Sequence, residues 1–325
     1  MKISEILSIY REEINEKLSE IYLSGPESLV TPIQYVLDGK GKRLRPLLTI
    51  FSAESCGSSK DNVFSAALAV EVLHNFTLVH DDIMDKDSTR HGKDTVHRKW
   101  DDGVAILTGD AMLSLALKLL NENNDYAYRQ MKIFVDGLLA VCEGQALDKE
   151  YESRSSISTE EYIKMIDLKT GHMLGLSAEL GAISAGMSDE ICAKINDYGC
   201  LIGRAFQIQD DYLDLFGDQN IIGKKIGGDI IKNKKTVMYH LYKENSSIED
   251  SDILDEIYND SNIQNDQKVS NIKKLFEENE IDLKTRELVK KYTSKTDEYI
   301  NTLNIDTSKK QYLIDISNKL LSRDF

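Results

Sequence analysis

Only three prolines occur in this chain of 325 residues, Pro26, Pro32 and Pro46, and none lies beyond position 46. Proline removes a backbone donor and clashes with the preceding turn, so its scarcity leaves almost the whole length open to uninterrupted helix. Apolar residues recur at three- and four-residue steps, as in Ile3, Ile6, Leu7, Tyr10 and Ile14, and again in Val63, Ala66, Ala67, Val70 and Leu73. Convincing period-two alternation is absent. Ser158-Thr159-Glu160-Glu161 fits a capping box, Ser188-Asp189-Glu190 opens a further helix, and Gly57, Gly186 and Gly217 mark stops. Beyond Asn245 the chain turns polar, with loops expected at Ser246-Ser247 and Asn259-Asp260-Ser261-Asn262. Apolar periodicity returns in Val269 to Phe276 and Tyr312 to Leu321, so the tail is expected to be helical. The expectation is one all-α domain over residues 1–325, without a linker.

Composition excludes several classes. A hydrophobic content of 41% suffices for a large core. No continuous apolar run reaches bilayer length, and Met1 to Leu18 mixes Ile and Leu with charge, so neither a transmembrane segment nor a signal peptide is expected. Cys56, Cys142, Cys192 and Cys200 form no C-x-x-C pair and read as buried thiols in a reducing cytoplasm. A formal charge of −15 argues against nucleic acid as partner. It leaves room for a small phosphorylated ligand, which needs only a local basic patch and metal ions.

Against that background two clusters stand out, Asp81-Asp82-Ile83-Met84-Asp85 and Asp210-Asp211-Tyr212-Leu213-Asp214. Both read D-D-x-x-D. On a helix, positions i and i+4 share a face, which brings Asp81 near Asp85 and Asp210 near Asp214, where like charges repel. A hard divalent cation such as Mg²⁺ offsets that repulsion, since it prefers carboxylate and phosphate oxygens. An acidic chain produces D-D pairs by chance on solvated faces. Here, however, each cluster follows an apolar run, Phe76 to Val79 and Ala205 to Ile208, so the carrying helices should be partly buried. The arrangement points to a diphosphate clamped by metal.

Basic residues accompany the clusters. Gly41-Lys42-Arg43-Leu44-Arg45-Pro46 places three cations at the start of an apolar helix, where charge and free N–H groups together favour an anion. His74 lies two turns before Asp81, and a lone histidine there is more often a packed core residue than a ligand. Arg90-His91 follows the first cluster by a short loop. Lys169-Thr170-Gly171 sits in a helical stretch, followed by the small residues Ser177-Ala178 and Gly181-Ala182, for which tight helix packing is the commoner reason. Gln207 falls three residues before Asp210. The stretch Gly223-Lys224-Lys225, Gly227-Gly228-Asp229 and Lys232 to Thr236 forms a basic loop without a dinucleotide fingerprint.

Taken together these stretches resemble a trans-isoprenyl diphosphate synthase of the polyprenyl synthetase family, the farnesyl and geranylgeranyl diphosphate synthases. The matching segments are GKRLRP (Gly41 to Pro46), LHNFTLVHDDIMD (Leu73 to Asp85), RHGKDTVH (Arg90 to His97), LTGDAML (Leu107 to Leu113), KTG (Lys169 to Gly171), FQIQDDYLD (Phe206 to Asp214) and GKKIGGD…NKKT (Gly223 to Thr236). The resemblance implies the isoprenoid synthase fold, antiparallel helices around a deep central cavity, in a homodimer. It implies Mg²⁺ held by Asp81, Asp85 and Asp210. An allylic diphosphate would be met by Arg90, Lys169, Thr170, Gln207, Lys224 and Lys234, and isopentenyl diphosphate by Lys42, Arg45, His74 and His91. Lys169, Thr170 and Gln207 would serve the carbocation.

Three positions depart from the family pattern. His91 stands where a second arginine is usual, Lys40 replaces a common glycine, and Asp94 replaces a proline. In the family, the residues four and five positions before the first aspartate line the floor of the tail pocket. Here these are Thr77 and Phe76, and one ring implies a product of fifteen or twenty carbons. Competing readings are a longer-chain polyprenyl synthase, a terpene cyclase, a non-catalytic subunit of a heteromeric synthase and a plain Mg²⁺/phosphate-binding module. The cyclase would not need Lys42, Arg45 and His74, and a non-catalytic subunit would typically lose one aspartate motif.

Overall fold

The computed structural model describes residues 3–39, 41–122, 125–154, 156–218, 226–260 and 262–321. These are helical nearly throughout, and the strands among them form one two-residue hairpin. The chain divides into two compact units. One comprises Met1–Asp136, Leu176–Asn196 and Leu303–Ile316, the other Gly137–Gly175, Asp197–Thr302 and Ser317–Phe325.

The first unit is built around helix α4 (Phe64–Asp85), preceded by α1 (Ile3–Glu20), α2 (Glu27–Leu37) and α3 (Leu44–Ser55). Ala67, Ala69, Val70, Val72 and Leu73 of α4 are fully enclosed, as expected of a helix that is apolar on all sides. Alpha-4 ends where Lys86 takes a left-handed conformation, φ 55°, and its N–H closes onto Asp82 and Ile83 carbonyls. The hairpin follows, β1 (Thr89–Arg90) against β2 (Lys93–Asp94), with Arg90 opposite Lys93. His91 and Gly92 form its turn with φ 51° and 76°, the two positive values that the tightest hairpins require. Helix α6 (Asp102–Leu120) starts at an Asp101 cap that accepts from Val104 N–H at 2.8 Å. The small-residue stripe behaves as tight packing. A side chain on Gly181 would sit 2.3 Å from the Thr49 carbonyl oxygen, and Ser52 donates to the Ala178 carbonyl at 2.6 Å.

Among the described residues α6 alone is long and apolar enough to cross a membrane by length and composition, a test that core helices also pass. Asp102, Asp110 and Lys118 break its apolar run without lowering its mean hydropathy enough to exclude it.

The second unit packs α8 (Thr159–Ile166) and much of α10 (Asp189–Phe216) with the later helices, among them Val237–Asn245, Asn265–Glu278 and Ile281–Thr302. The expected capping box is present: Ser158 accepts from Glu161 N–H while the Glu161 carboxylate accepts from Ser158 N–H. Both periodic tail segments are helical as expected, in Asn265–Glu278 and Thr307–Leu321. The core is rich in tyrosine, and buried hydroxyls need partners. Tyr162 donates to Asp211 at 2.6 Å, Tyr212 accepts from Arg286 at 2.6 Å, and Tyr239 donates to Asp255.

His240 lies in this core, 1% exposed, with Nε2 at 3.1 Å from the Lys235 carbonyl. Burial lowers its pKa from 6.5 to about 4. An unfolded chain therefore binds a proton below pH 6.5 that the folded one refuses until about pH 4. Stability should fall across that window by on the order of 3 kcal/mol. Thermal melts of His240→Gln are expected to lose less midpoint between pH 7 and pH 5 than the parent chain.

Candidate active site

In the first unit, burial divides the expected residues by role. Asp82 is 4% exposed and accepts from Arg90 Nε at 2.6 Å, while Asp87 lies 3.9 Å from the same guanidinium. Burial raises the Asp82 pKa, and the Arg90 charge acts against that rise. The hairpin is thereby tied to the last turn of α4. Asp81 is half-buried and Asp85 exposed, one turn apart on the same face.

The basic segment also separates. Arg43 does not join an anion site. It has φ 52° and is 4% exposed, and its guanidinium donates to Glu71 at 2.7 Å, to the Leu37 carbonyl at 2.7 Å and to Asn15 at 2.8 Å. This buried pair fixes the turn, leaving Lys42 exposed before it and Arg45 half-buried after it. Arg45 Nε is buried without a hydrogen-bond partner among the described residues, and burial pulls the Arg45 pKa down to about 10. His74 is held neutral, well below its usual pKa. Burial is the main cause, followed by the positive charges of Arg45, Arg90, His91 and Arg43. That electrostatic neighbourhood gathers four residues expected to bind diphosphate: Arg45, His74, Arg90 and His91. Phe76 is 9% exposed on α4, and Thr77 turns its hydroxyl back to the His74 carbonyl at 2.8 Å.

In the second unit, Lys169-Thr170-Gly171 lies in a π-helical turn, Asp167–Gly171. Such turns break the ordinary bonding ladder and recur at functional sites. Two glycines let neighbouring backbones reach it. A side chain on Gly144 would meet Lys169 N at 2.4 Å, and one on Gly203 would meet Gly171 Cα at 2.6 Å. Lys169 Nζ pairs with Asp148 at 2.7 Å. Thr170 donates to Gln207 Oε1 at 3.1 Å, and Gln207 Nε2 donates to Asp211 at 3.0 Å. Asp211, 1% exposed, also accepts from Tyr162, and burial pushes its pKa up to about 7.

Asp214 is turned to another task. It accepts from Asp229 N–H at 3.0 Å, while its carbonyl accepts from Gly227 N–H at 2.6 Å. Asp210 remains half-buried on the helix. The Lys234 ammonium is strongly favoured by the Asp229 charge, with Asp211, Asp148 and Asp210 adding to it against burial. Lys224 and Lys40 lie outside the described residues.

Among the described residues no three Asp, Glu, His or Cys side chains are grouped so as to hold a metal by themselves. Mg²⁺ is usually bound by one or two carboxylates, with water and substrate phosphate completing its shell. The donors available, carboxylates of Asp81, Asp85 and Asp210, are of the hard oxygen type such an ion takes.

The comparisons agree on one family. The polyprenyl synthetase family model matches residues 26 to 278. The chain belongs to the polyprenyl synthetase family. A geranylgeranyl pyrophosphate synthase of Geoglobus acetivorans is 33% identical, over 99% of each chain. A geranylfarnesyl diphosphate synthase of Natronomonas pharaonis is 41% identical over 70% of this chain and 73% of its own. A crystal structure of a geranylgeranyl pyrophosphate synthase superposes with a TM-score of 0.92 at 42% identity, covering 99% of both chains. A polyprenyl synthase of Caulobacter crescentus CB15, complexed with calcium and isoprenyl diphosphate, gives 0.86 at 25% identity over 98% of this chain and 96% of its own. The all-α isoprenoid synthase fold and prenyltransferase activity of this chain follow from that membership.

Sequence reasoning missed Tyr162, Asp148 and the inward role of Arg43. Tyr162 is one of fifteen tyrosines in the chain, and its only sequence signal is its place one turn inside the capping box. Tyr162→Phe leaves a buried carboxylate short of one donor, which costs about 2 kcal/mol. Urea unfolding is expected to show that loss, together with slower turnover as Gln207 loses its anchored neighbour.

Proposed function

We propose that this prenyltransferase condenses isopentenyl diphosphate with a short allylic diphosphate, acting as one catalytic domain over residues 1–325. The observation that carries the reading is Arg45, whose buried guanidinium nitrogen has no hydrogen-bond partner among the described residues, near a neutral His74. A buried charged donor left unpaired is costly unless a ligand completes it. An anion such as the isopentenyl diphosphate head, shared with Lys42 and His91, is such a ligand. The terpene cyclase alternative has no use for it.

Asp81, Asp85 and Asp210 would hold Mg²⁺ against the allylic diphosphate. Bound Mg²⁺ would supply charge neutralisation for the departing diphosphate. Arg90, Lys169, Lys224 and Lys234 would add fixed positive charge to the same group, which favours ionisation of the allylic C–O bond. Thr170, Gln207 and the Lys169 carbonyl would present dipoles to the resulting carbocation, with Asp211 and Tyr162 holding the Gln207 amide in place. The double bond of isopentenyl diphosphate attacks the cation, and the released diphosphate takes the final proton. Phe76, with Thr77 beside it, would limit the tail. The reading favours a twenty-carbon product with some fifteen-carbon material, although a relative as similar as the Natronomonas protein carries a name for one isoprene unit more.

The assembly we favour is a homodimer, supported by apolar side chains left exposed in the first unit: Leu107 at 62%, Tyr128 at 84% and Val135 at 49%. Of the four cysteines expected to be buried, only Cys192 is; Cys56 and Cys200 are half-buried and Cys142 is exposed, and none is joined to another by a disulfide, which supports a cytoplasmic setting.

Purified protein with Mg²⁺ and isopentenyl diphosphate, offered dimethylallyl, geranyl or farnesyl diphosphate, is expected to release a discrete twenty-carbon diphosphate. Elongation of none of them contradicts the proposal. Arg45→Met is expected to raise the Michaelis constant for isopentenyl diphosphate roughly tenfold or more, with the constant for the allylic partner within about twofold of the parent. Equal rises in both constants would move Arg45 out of this role.

A further inference from the structure

The half-buried imidazole of His80 lies between Phe76 and helix α6. Four residues before it on α4, and so on the same face, lies Phe76. The two rings meet edge to face, with centroids 4.8 Å apart and planes at 63°. On the other side runs α6. Its Gly109 is buried, and a Cβ built there would fall 2.1 Å from His80 Nε2 and 2.5 Å from Cδ2. The Ile106 carbonyl of the same helix is 3.4 Å from Nε2. The ring therefore fills the notch that the missing side chain of Gly109 creates, with the edge-to-face contact on Phe76 at its other edge.

A phenylalanine on a helix chooses among staggered χ1 wells, and a neighbour packed against the ring decides which well survives. His80 is such a neighbour, and it is itself pinned by backbone, which yields far less readily than a side chain would. Edge-to-face pairs of this kind favour one ring arrangement beyond the area they bury, enough to shift a rotamer ratio several-fold. We infer that His80, seated in the Gly109 notch, is a positioning residue that fixes the Phe76 ring and through it the length of the product. This rests on the reading of Phe76 as the stop for chain growth. His80 acts on the ring and has no role in the condensation step itself, so the relevant readout is the ratio of products and not the total rate.

The test compares products of the full chain with Mg²⁺, isopentenyl diphosphate and dimethylallyl diphosphate for the parent, Phe76→Ala, His80→Ala, Gly109→Ala and the pairs Phe76→Ala/His80→Ala and Gly109→Ala/His80→Ala. His80→Ala is expected to raise the ratio of longer to parent-length product at least threefold. Phe76→Ala should raise it further, and the double variant should match Phe76→Ala alone, because His80 has no ring left to position. Gly109→Ala, whose new methyl displaces the imidazole, should lengthen products in the parent and change nothing further once His80 is alanine. If Phe76→Ala lengthens products while His80→Ala and Gly109→Ala leave the ratio as it was, His80 is packing alone and the inference is overturned. If Phe76→Ala itself leaves the product unchanged, the stop lies elsewhere, and both the earlier reading and this one are lost. Should His80→Ala fail to fold, Gly109→Ala reads the same contact from the opposite side.

Discussion

Crowded carboxylates are the constraint on which the rest of this structure depends. Each D-D-x-x-D segment places three negative charges within two turns of one helix, a pattern that destabilises the helix by itself. The fold meets this by giving some of the carboxylates internal tasks. Asp82 binds the hairpin arginine Arg90, Asp211 accepts from Tyr162 and Gln207, and Asp214 receives the backbone around Gly227 and Asp229. The resemblance to the family assigns Asp81, Asp85 and Asp210 to metal. The internal bonds also have a positioning effect: each one fixes the helix turn, loop or amide next to a proposed ligand.

The same division between scaffold and site runs through the basic residues. Arg43 and Arg45 stand two positions apart, yet one is spent on a buried pair with Glu71 and the other keeps a buried nitrogen without a partner among the described residues. The left-handed backbone at Arg43 makes this possible, because it turns that side chain under the loop as the chain enters α3. Lys169 is drawn to Asp148, and the charge on Lys234 is favoured by several aspartates. A diphosphate that approaches these lysines must compete with carboxylates for them, so their contribution is smaller than a bare charge count suggests, and it is aimed in advance.

Much of this was legible in the sequence. Proline scarcity and three-to-four periodicity led to an all-α chain, and Ser158-x-x-Glu161 marked its helix start to the residue. The paired aspartate motifs, with GKRLRP, KTG and the Gln207 segment, pointed to the family and its chemistry. What stayed hidden depends on contacts between residues distant in sequence. No local pattern distinguishes Arg43 from Arg45, since the difference comes from Glu71 and Asn15. Tyr162 acquires its partner forty-nine positions away. The π-helical turn at Asp167–Gly171 has a sequence that reads as ordinary helix, and it is the close approach at Gly144 and Gly203 that accompanies the altered ladder.

The most direct test of the central claim is calorimetric binding of a non-ionisable allylic diphosphate analogue to the parent chain and to Asp210→Asn, each with Mg²⁺ and with chelator. The account predicts binding by the parent that requires Mg²⁺, and a loss of at least roughly tenfold in Asp210→Asn, about 1.4 kcal/mol. Binding of equal strength in all four conditions would contradict it, since the carboxylates would then have no part in holding the diphosphate.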